Sequence, residues 1–258
     1  LETAKWKDVL ERDGHECYYM AGELDTPHEK SFLVPACHFS HPGVQEVYKE
    51  CFGHIHRSAD TTRKIEELKH GLKQSIRDFV DRFDLDLIIP ENAVTIPLNI
   101  PLGLAITEFA VETAFPMIVH NHDFFWERKR FLYNACWDYL NKAFPPHLLT
   151  IQHAVLNSSQ DNQLSLRKGI SAVVVPNVMD FANPPPPKDD YTKDLRKTLG
   201  IKPEEKFILQ PTRIVQRKGI EHAIELVHRL KIPAKLVISH ASGDEGDEYT
   251  VRVMERRT

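Results

Sequence analysis

Two stretches of this chain hold side chains whose types and spacing could do chemistry. In the later one, Pro211-Thr212-Arg213-Ile214-Val215-Gln216-Arg217-Lys218-Gly219, two fixed cations stand five positions apart, and a glycine follows the second. Arginine offers a planar fork and lysine a point charge, and a residue without a side chain lets a ligand approach; the combination suits a diphosphate. An apolar run, Phe207-Ile208-Leu209, precedes the loop, and Ile220, Ala223, Ile224, Val227 and Leu230 follow it at helical spacing. The order is therefore strand, basic loop, helix. Such a loop lies at the carboxyl end of a strand, where a helix N-terminus adds positive potential. A solvated basic turn would show the same residues.

The earlier stretch is Pro116-Met117-Ile118-Val119-His120-Asn121-His122-Asp123, followed by Phe124-Phe125-Trp126-Glu127-Arg128-Lys129-Arg130. The apolar run predicts a short buried strand whose carboxyl end projects His120, Asn121, His122 and Asp123, with the two histidines on one face. One reading is structural, a histidine capping the next helix. A second is a metal-dependent hydrolase in which His120 and His122 bind a divalent ion, with His153 and His240 as the only tempting further ligands. Arg128, Lys129 and Arg130 could receive a phosphate or carboxylate, or be solvated. Glu91 and Asn92 stand at the tip of another expected strand, where α/β ligands gather, and equally suit a turn or cap.

Strands and helices alternate in the pattern that positions such tips. Helices are expected at 3–12 (Trp6, Val9 and Leu10 on one face), 59–83, 98–115, 128–142, from Asn157 to about Lys168, near 191–199, and from Ile220. Buried strands are expected at 15–20, 84–92, 116–119, 148–155, 171–180, from Phe207, and at 235–239. A loop containing Ser242-Gly243 and Gly246 follows the last of these. Cys37, His41, Cys51 and His54 could in principle supply four zinc ligands, but they are interleaved with apolar residues and lack a tight knuckle. Asn183-Pro-Pro-Pro-Pro187 reads as a stiff linker.

The two chemical stretches and 171–180 also carry a resemblance. Arg213-x(4)-Lys218-Gly219, the spacing from Pro116 to His122, and Val175-Pro176-Asn177 leaving a strand resemble family 4 retaining glycosyltransferases of the GT-B fold. Pro211-Thr212 stands where the family usually has a glycine, and no glycine follows Asn177. The resemblance implies an α/β fold, a GT-B-type pair of Rossmann-like doubly wound domains with the second truncated. The expected parts are a first domain over 1–182, a proline-rich linker and connecting helix over 183–206, and the start of a nucleotide-sugar-binding domain over 207–258. Arg213, Lys218 and Gly219 would hold the donor diphosphate. His122, backed by Asp123, would lie near the transferred sugar across the interdomain cleft. Glu91, Asn92, His120 and Arg128 are candidate acceptor-binding residues. No metal and no cofactor beyond the nucleotide-diphosphate sugar is implied. The family's opening strand and its acidic Glu-x(7)-Glu motif are not found in these residues, so the chain is expected to be a fragment, inactive alone.

The totals agree with a globular class. At 258 residues, 41% hydrophobic and net charge −4, the chain can bury one large or two modest cores, and nothing draws it to nucleic acid. No apolar run nears the roughly 20 residues of a membrane span. Cys17, Cys37, Cys51 and Cys136 are scattered, which fits a reducing cytosol, with peripheral membrane association left open. The acceptor (small molecule, saccharide or lipid) and the oligomeric state are unspecified. A catalytically inactive nucleotide-binding module is the remaining alternative.

Overall fold

The computed structural model describes residues 2–179, 181, 183, 185–243 and 248–255. Within them the chain runs α1 (Glu2–Arg12), β1 (Tyr19–Ala21), β2 (Ser31–Leu33), α2 (Pro42–Cys51), α3 (Ala59–Phe83), α4 (Ile100–Thr113), β3 (Met117–Asn121), α5 (Lys129–Leu132), α6 (Trp137–Ala143), β4 (Ile151–Val155), α7 (Ser158–Lys168) and β5 (Ala172–Val174). It continues through α8 (Leu195–Thr198), β6 (Lys206–Arg213), α9 (Ile220–Arg229), β7 (Ala234–His240) and α10 (Glu248–Glu255). Two compact units result, Leu1–Met179 and Asp180–Thr258. Asp180, which ends the expected 171–180 strand, and the 244–247 part of the expected glycine-containing loop lie outside the described residues.

The architecture is mixed α/β, and the strands among the described residues pair in parallel. In the first unit β1 pairs with β2, and β3-β4-β5 form a second sheet with Met117 opposite Ile151 and His153 opposite Ala172. In the second unit β6 pairs with β7, and α9 makes the crossover between them. The expected 84–92 strand is reduced to parallel bridges from Ile88 to Met117 and from Glu91 to His120. Asp84 and Asn92 both take positive φ, 48° and 55°, which interrupts extended backbone at each end.

The core explains why α3 and α4 sit where they do. α3 is amphipathic and buries Ile65, Leu72, Ile76 and Phe79. α4 is apolar almost all round, so both of its faces must be covered: Ile100 and Leu104 join one cluster, and Ala105, Ile106, Phe109 and Ala110 another. Each fully buried Leu, Ile or Phe contributes on the order of 1.5–3 kcal/mol. Gly103 lets α4 approach its neighbour closely, because a Cβ there would lie 2.3 Å from Cζ of Phe144. Ser58 caps α3 by accepting from the Thr61 N–H at 3.0 Å. Asn99 caps α4 through the Leu102 N–H and donates to the Ala36 carbonyl at 2.9 Å, fixing α4 to the loop after β2. On the polar side Glu108 of α4 receives Lys69 (2.9 Å), Lys73 (3.3 Å) and Lys142 (3.0 Å).

Two expectations need correction, the continuous helix over 128–142 and the placing of Arg213 in a loop. The helix expected over 128–142 is broken into α5 and α6, because residues 133–135 pair with 51–53 instead. Gly53 donates to the Tyr133 carbonyl (3.0 Å), Ala135 donates to Cys51 (2.8 Å), and Phe52 bridges Asn134 antiparallel. α1 forms as a helix, with none of its residues fully buried and Val9 56% exposed. Cys37, His41, Cys51 and His54 are not in the one group of three or more convergent candidate ligands among the described residues. Cys51 is instead buried in the core beside Cys136. Finally, Arg213 belongs to a strand rather than to a loop, since β6 continues to it and pairs it with His240.

Candidate functional site

β3 delivers its residues to a sheet edge already lined by the 88–92 segment. Met117, Val119 and Ile151 hold the strand in the core, and its last two residues, His120 and Asn121, are fully buried. The backbone is clamped on both sides of His120: its N–H donates to Pro90 (3.2 Å), and its carbonyl accepts from Asn92 (2.9 Å). This brings Glu91 beside the two histidines. Its carboxylate lies 2.9 and 3.1 Å from Nδ1 of His120, and its Oε1 lies 2.6 Å from Nε2 of His122. The two ring nitrogens face each other at 3.3 Å, with the ring centroids 4.6 Å apart and nearly perpendicular.

Burial of the Glu91 carboxyl opposes its ionisation, but the hydrogen bonds and charges of His120 and His122 outweigh this and hold it at about 2. The reciprocal effect raises His122, chiefly through its hydrogen bond to Glu91 and against a smaller burial cost. The Trp6 ring of α1 packs on His120 at 4.7 Å between centroids. Nε2 of His120 is buried without a hydrogen-bond partner.

Three further side chains set the loop after β3. The Asn92 side chain accepts from the His122 N–H (3.1 Å) and approaches Asp123 at 3.4 Å. Gln160, in the first turn of α7, donates to the His122 carbonyl (2.8 Å) and accepts from Leu156 (3.0 Å). Asp123 forms an ion pair with Arg128, so neither is an isolated charge. Asn121 lies beneath, taking a bond from Thr95 (3.0 Å) and giving one to the Ala154 carbonyl (2.9 Å).

The structure thus gathers Glu91, Asn92, His120, His122, Asp123 and Arg128 at one strand-end cluster. Trp6 and Gln160 complete it, and sequence reasoning missed both. Gln160 lies in an ordinary capped first turn, and Trp6 on a helix of amphipathic pattern. His153 does not join. Its Nε2 donates to the Pro146 carbonyl (3.0 Å) and its Nδ1 lies 3.4 Å from the Asn121 amide. Burial pushes it down to about 4, which keeps it neutral. His240 belongs to the second unit, where it bonds Ser239 at 2.6 Å. Neither is the further ligand a hydrolase would need. A divalent ion could be held by Glu91, His120 and His122, whose ligand atoms all lie within 4.8 Å of one another.

In the second unit the basic residues sit around the start of α9. Arg213 ends β6 and lies against Gly243, where an added Cβ would meet its Nη1 at 3.2 Å. Lys218 closes a 3-10 turn (Gln216–Lys218), and its carbonyl accepts from Gln210 at 2.9 Å. Gly219 then takes the left-handed conformation, φ 61° and ψ 44°, as the residue preceding α9.

No family model matches the chain. It is 35% identical over 240 residues to a mannosylglucosylglycerate synthase of Thermotoga maritima, covering 90% of this chain and 53% of that protein. It is 32% identical over 242 residues to a protein of the same description from Petrotoga mobilis, covering 92% and 55%. A mannosylglucosyl-3-phosphoglycerate synthase of Petrotoga mobilis is 30% identical over 223 residues, covering 79% and 41%. The chain spans about half the length of the first two relatives. Among the described residues no helix is long and apolar enough to cross a membrane.

Proposed function

We propose that this chain is part of a glycosyltransferase that moves a sugar from a nucleotide-diphosphate donor to an acceptor hydroxyl. The observation that carries the reading is similarity over nine-tenths of the chain to two mannosylglucosylglycerate synthases. Their description points to a mannosyl donor and to an acceptor of the glucosylglycerate type, a saccharide bearing a carboxylate. The finer reading is retaining transfer by a GT-B-type protein, without a metal in the chemistry and in the cytoplasm, peripheral contact with a membrane left open. Residues 1–182 form the acceptor-side domain, 183–206 the connection, and 207–258 the start of the donor-binding domain.

His122 is the residue placed at the transferred sugar. Its Nε2 is engaged by Glu91, so Nδ1 remains to meet a hydroxyl, and its side chain is 29% exposed. A charge-assisted bond that Nε2–H donates to Glu91 fixes the ring's orientation while an oxocarbenium-like centre forms and the diphosphate leaves. Asp123 supports the same loop through Arg128. Arg213 and Lys218 would grip the donor diphosphate as a fork and a point charge, with Gly219 allowing close approach. Of the acceptor-side candidates, Asn92 and Arg128 keep that role. Glu91 and His120 are committed to each other and to His122, and act as support.

The test supplies a nucleoside-diphosphate mannose and glucosylglycerate to the complete protein and follows the anomeric proton by NMR. A new mannoside with the donor's anomeric configuration supports the proposal. A mannoside of opposite configuration removes the retaining assignment, and no transfer with any nucleotide-sugar removes the enzyme reading.

A further inference from the structure

We propose that Gln160 is a positioning residue of the transfer, holding the backbone of His122 from one face of α7; the inference rests on the glycosyltransferase reading. The segment from His122 to Trp126 is seated on a single row of that helix. Residues 160, 163, 164 and 167 recur at intervals of three and four, the spacing of one helical face. Gln160 donates its amide N–H to the His122 carbonyl at 2.8 Å. Gln163 accepts the indole N–H of Trp126 at 2.9 Å, and Arg167 lies 5.4 Å from the centroid of the same ring system. Between them Leu164 is fully buried in one apolar cluster with Phe124. Residues 122, 124 and 126 therefore each meet the helix.

Gln160 has a local duty as well, and the two can be told apart. It is the third residue of α7, and its N–H donates to the Asn157 side chain at 3.0 Å. Its own Oε1 accepts the Leu156 N–H at 3.0 Å. This reciprocal pattern is close to a capping box, in which glutamate serves as well as glutamine. The bond to the His122 carbonyl is different, because it needs an N–H that a carboxylate does not have. Gln160 is buried, so a lost donor there leaves the carbonyl unpaired at full cost. The His122 N–H is meanwhile taken by Oδ1 of Asn92. Both backbone polar groups of His122 thus end on side-chain amides, one from the 88–92 segment and one from α7. Gln160 uses its polar atoms on two backbone groups, so it acts through His122 and not on the sugar. Precise placement is worth much here, since a misplacement of about 1 Å near a reacting centre can cost roughly 100-fold in rate.

The complete protein and its Gln160→Met, Gln160→Glu and Asn162→Ala variants are assayed for transfer from a nucleoside-diphosphate mannose to glucosylglycerate. The indole N–H signal of Trp126 is followed by NMR in each. Methionine keeps the length of the side chain and loses both bonds, whereas glutamate keeps the bond to Leu156 and loses only the one to His122. The expected result is a kcat lower by about 10–100-fold in both Gln160 variants, with each KM within about threefold of the parent. The Trp126 signal should stay in place, because Gln163 still holds the loop. Asn162 is exposed on the other face of α7, and Asn162→Ala should leave kcat and KM unchanged. Parental kcat in Gln160→Glu overturns the inference, since the residue is then a helix cap alone. A displaced Trp126 signal in both Gln160 variants also overturns it, since the whole loop has then left the helix. A parent protein that transfers nothing removes the glycosyltransferase reading itself, and this inference falls with it.

Discussion

The side-chain oxygen of Asn92 accepts the backbone N–H of His122 at 3.1 Å, so the turn that ends one strand segment is the mould for the loop that follows the next. Asn92 holds this position at φ 55°, a left-handed conformation that asparagine tolerates better than most residues. Its backbone N–H meanwhile donates to the His120 carbonyl. One residue therefore fixes the backbone on both sides of Asn121.

Asn92→Ala loses that side-chain acceptor and keeps a Cβ at positive φ. The expected cost is about 1–2 kcal/mol of unfolding free energy. Asn92→Gly loses the same bond but suits the backbone, and should be milder. Urea unfolding of the two variants decides the order, and a more stable Ala variant would show that the turn is not held as described.

On the proposed function, Arg213→Ala and Lys218→Ala should mainly raise the donor KM, by about tenfold or more. His122→Ala should mainly lower kcat, by about 10–100-fold. Steady-state kinetics of the complete protein separate the two patterns. If all three variants keep the parent's constants, the roles assigned to these residues are wrong.

Acid stability should carry the signature of Glu108. Burial opposes its ionisation, yet Lys69, Lys142 and Lys73 outweigh this and hold it at about 2, below the ordinary value of 4.5. A depressed carboxyl stabilises the fold fully above its unfolded value, and that contribution is lost as the pH falls from about 4.5 through about 2. Glu108→Gln should therefore lose stability at neutral pH and show a shallower fall in Tm across that window. An unchanged slope would mean that the three lysines do not act on Glu108 in solution.

Arg57 joins the segment before α3 to α6. Its guanidinium donates to both oxygens of Asp138 (2.9 and 2.8 Å) and to the Ala135 carbonyl (2.8 Å), and it stacks 4.3 Å from the Tyr139 ring centroid. Arg57→Lys cannot reproduce the paired bonds and should cost on the order of 1–2 kcal/mol, discounted because Asp138 is more than half exposed. Arg57→Ala should cost more, since it also strips the stack from Tyr139. Thermal unfolding of the pair gives the ranking, and equal Tm values would remove the guanidinium geometry as its cause.

What the sequence made legible followed from local physics. The helix over 59–83 was readable because apolar residues recur every three or four positions, with charges on the opposite face. Asn157 announced α7 by the ordinary chemistry of a cap, and the run before His120 announced β3. The break between α5 and α6 was not legible, because its cause is pairing with residues 51–53, far away in the chain. Nor was the meeting of Glu91 with both histidines, which depends on the parallel bridge from Glu91 to His120. Patterns along a chain reveal which face is apolar, but not which distant carboxylate will stand opposite a ring.

The contact between Gly103 and Phe144 carries a consequence for how this chain can vary. The aromatic ring occupies the volume that any larger residue at 103 would claim, so neither position can change freely by itself. A methyl at 103 becomes tolerable only when the ring at 144 is exchanged for something smaller, and shrinking 144 alone opens a hole beside a bare helix backbone. The two sites should drift as a linked couple through any lineage that keeps this helix crossing.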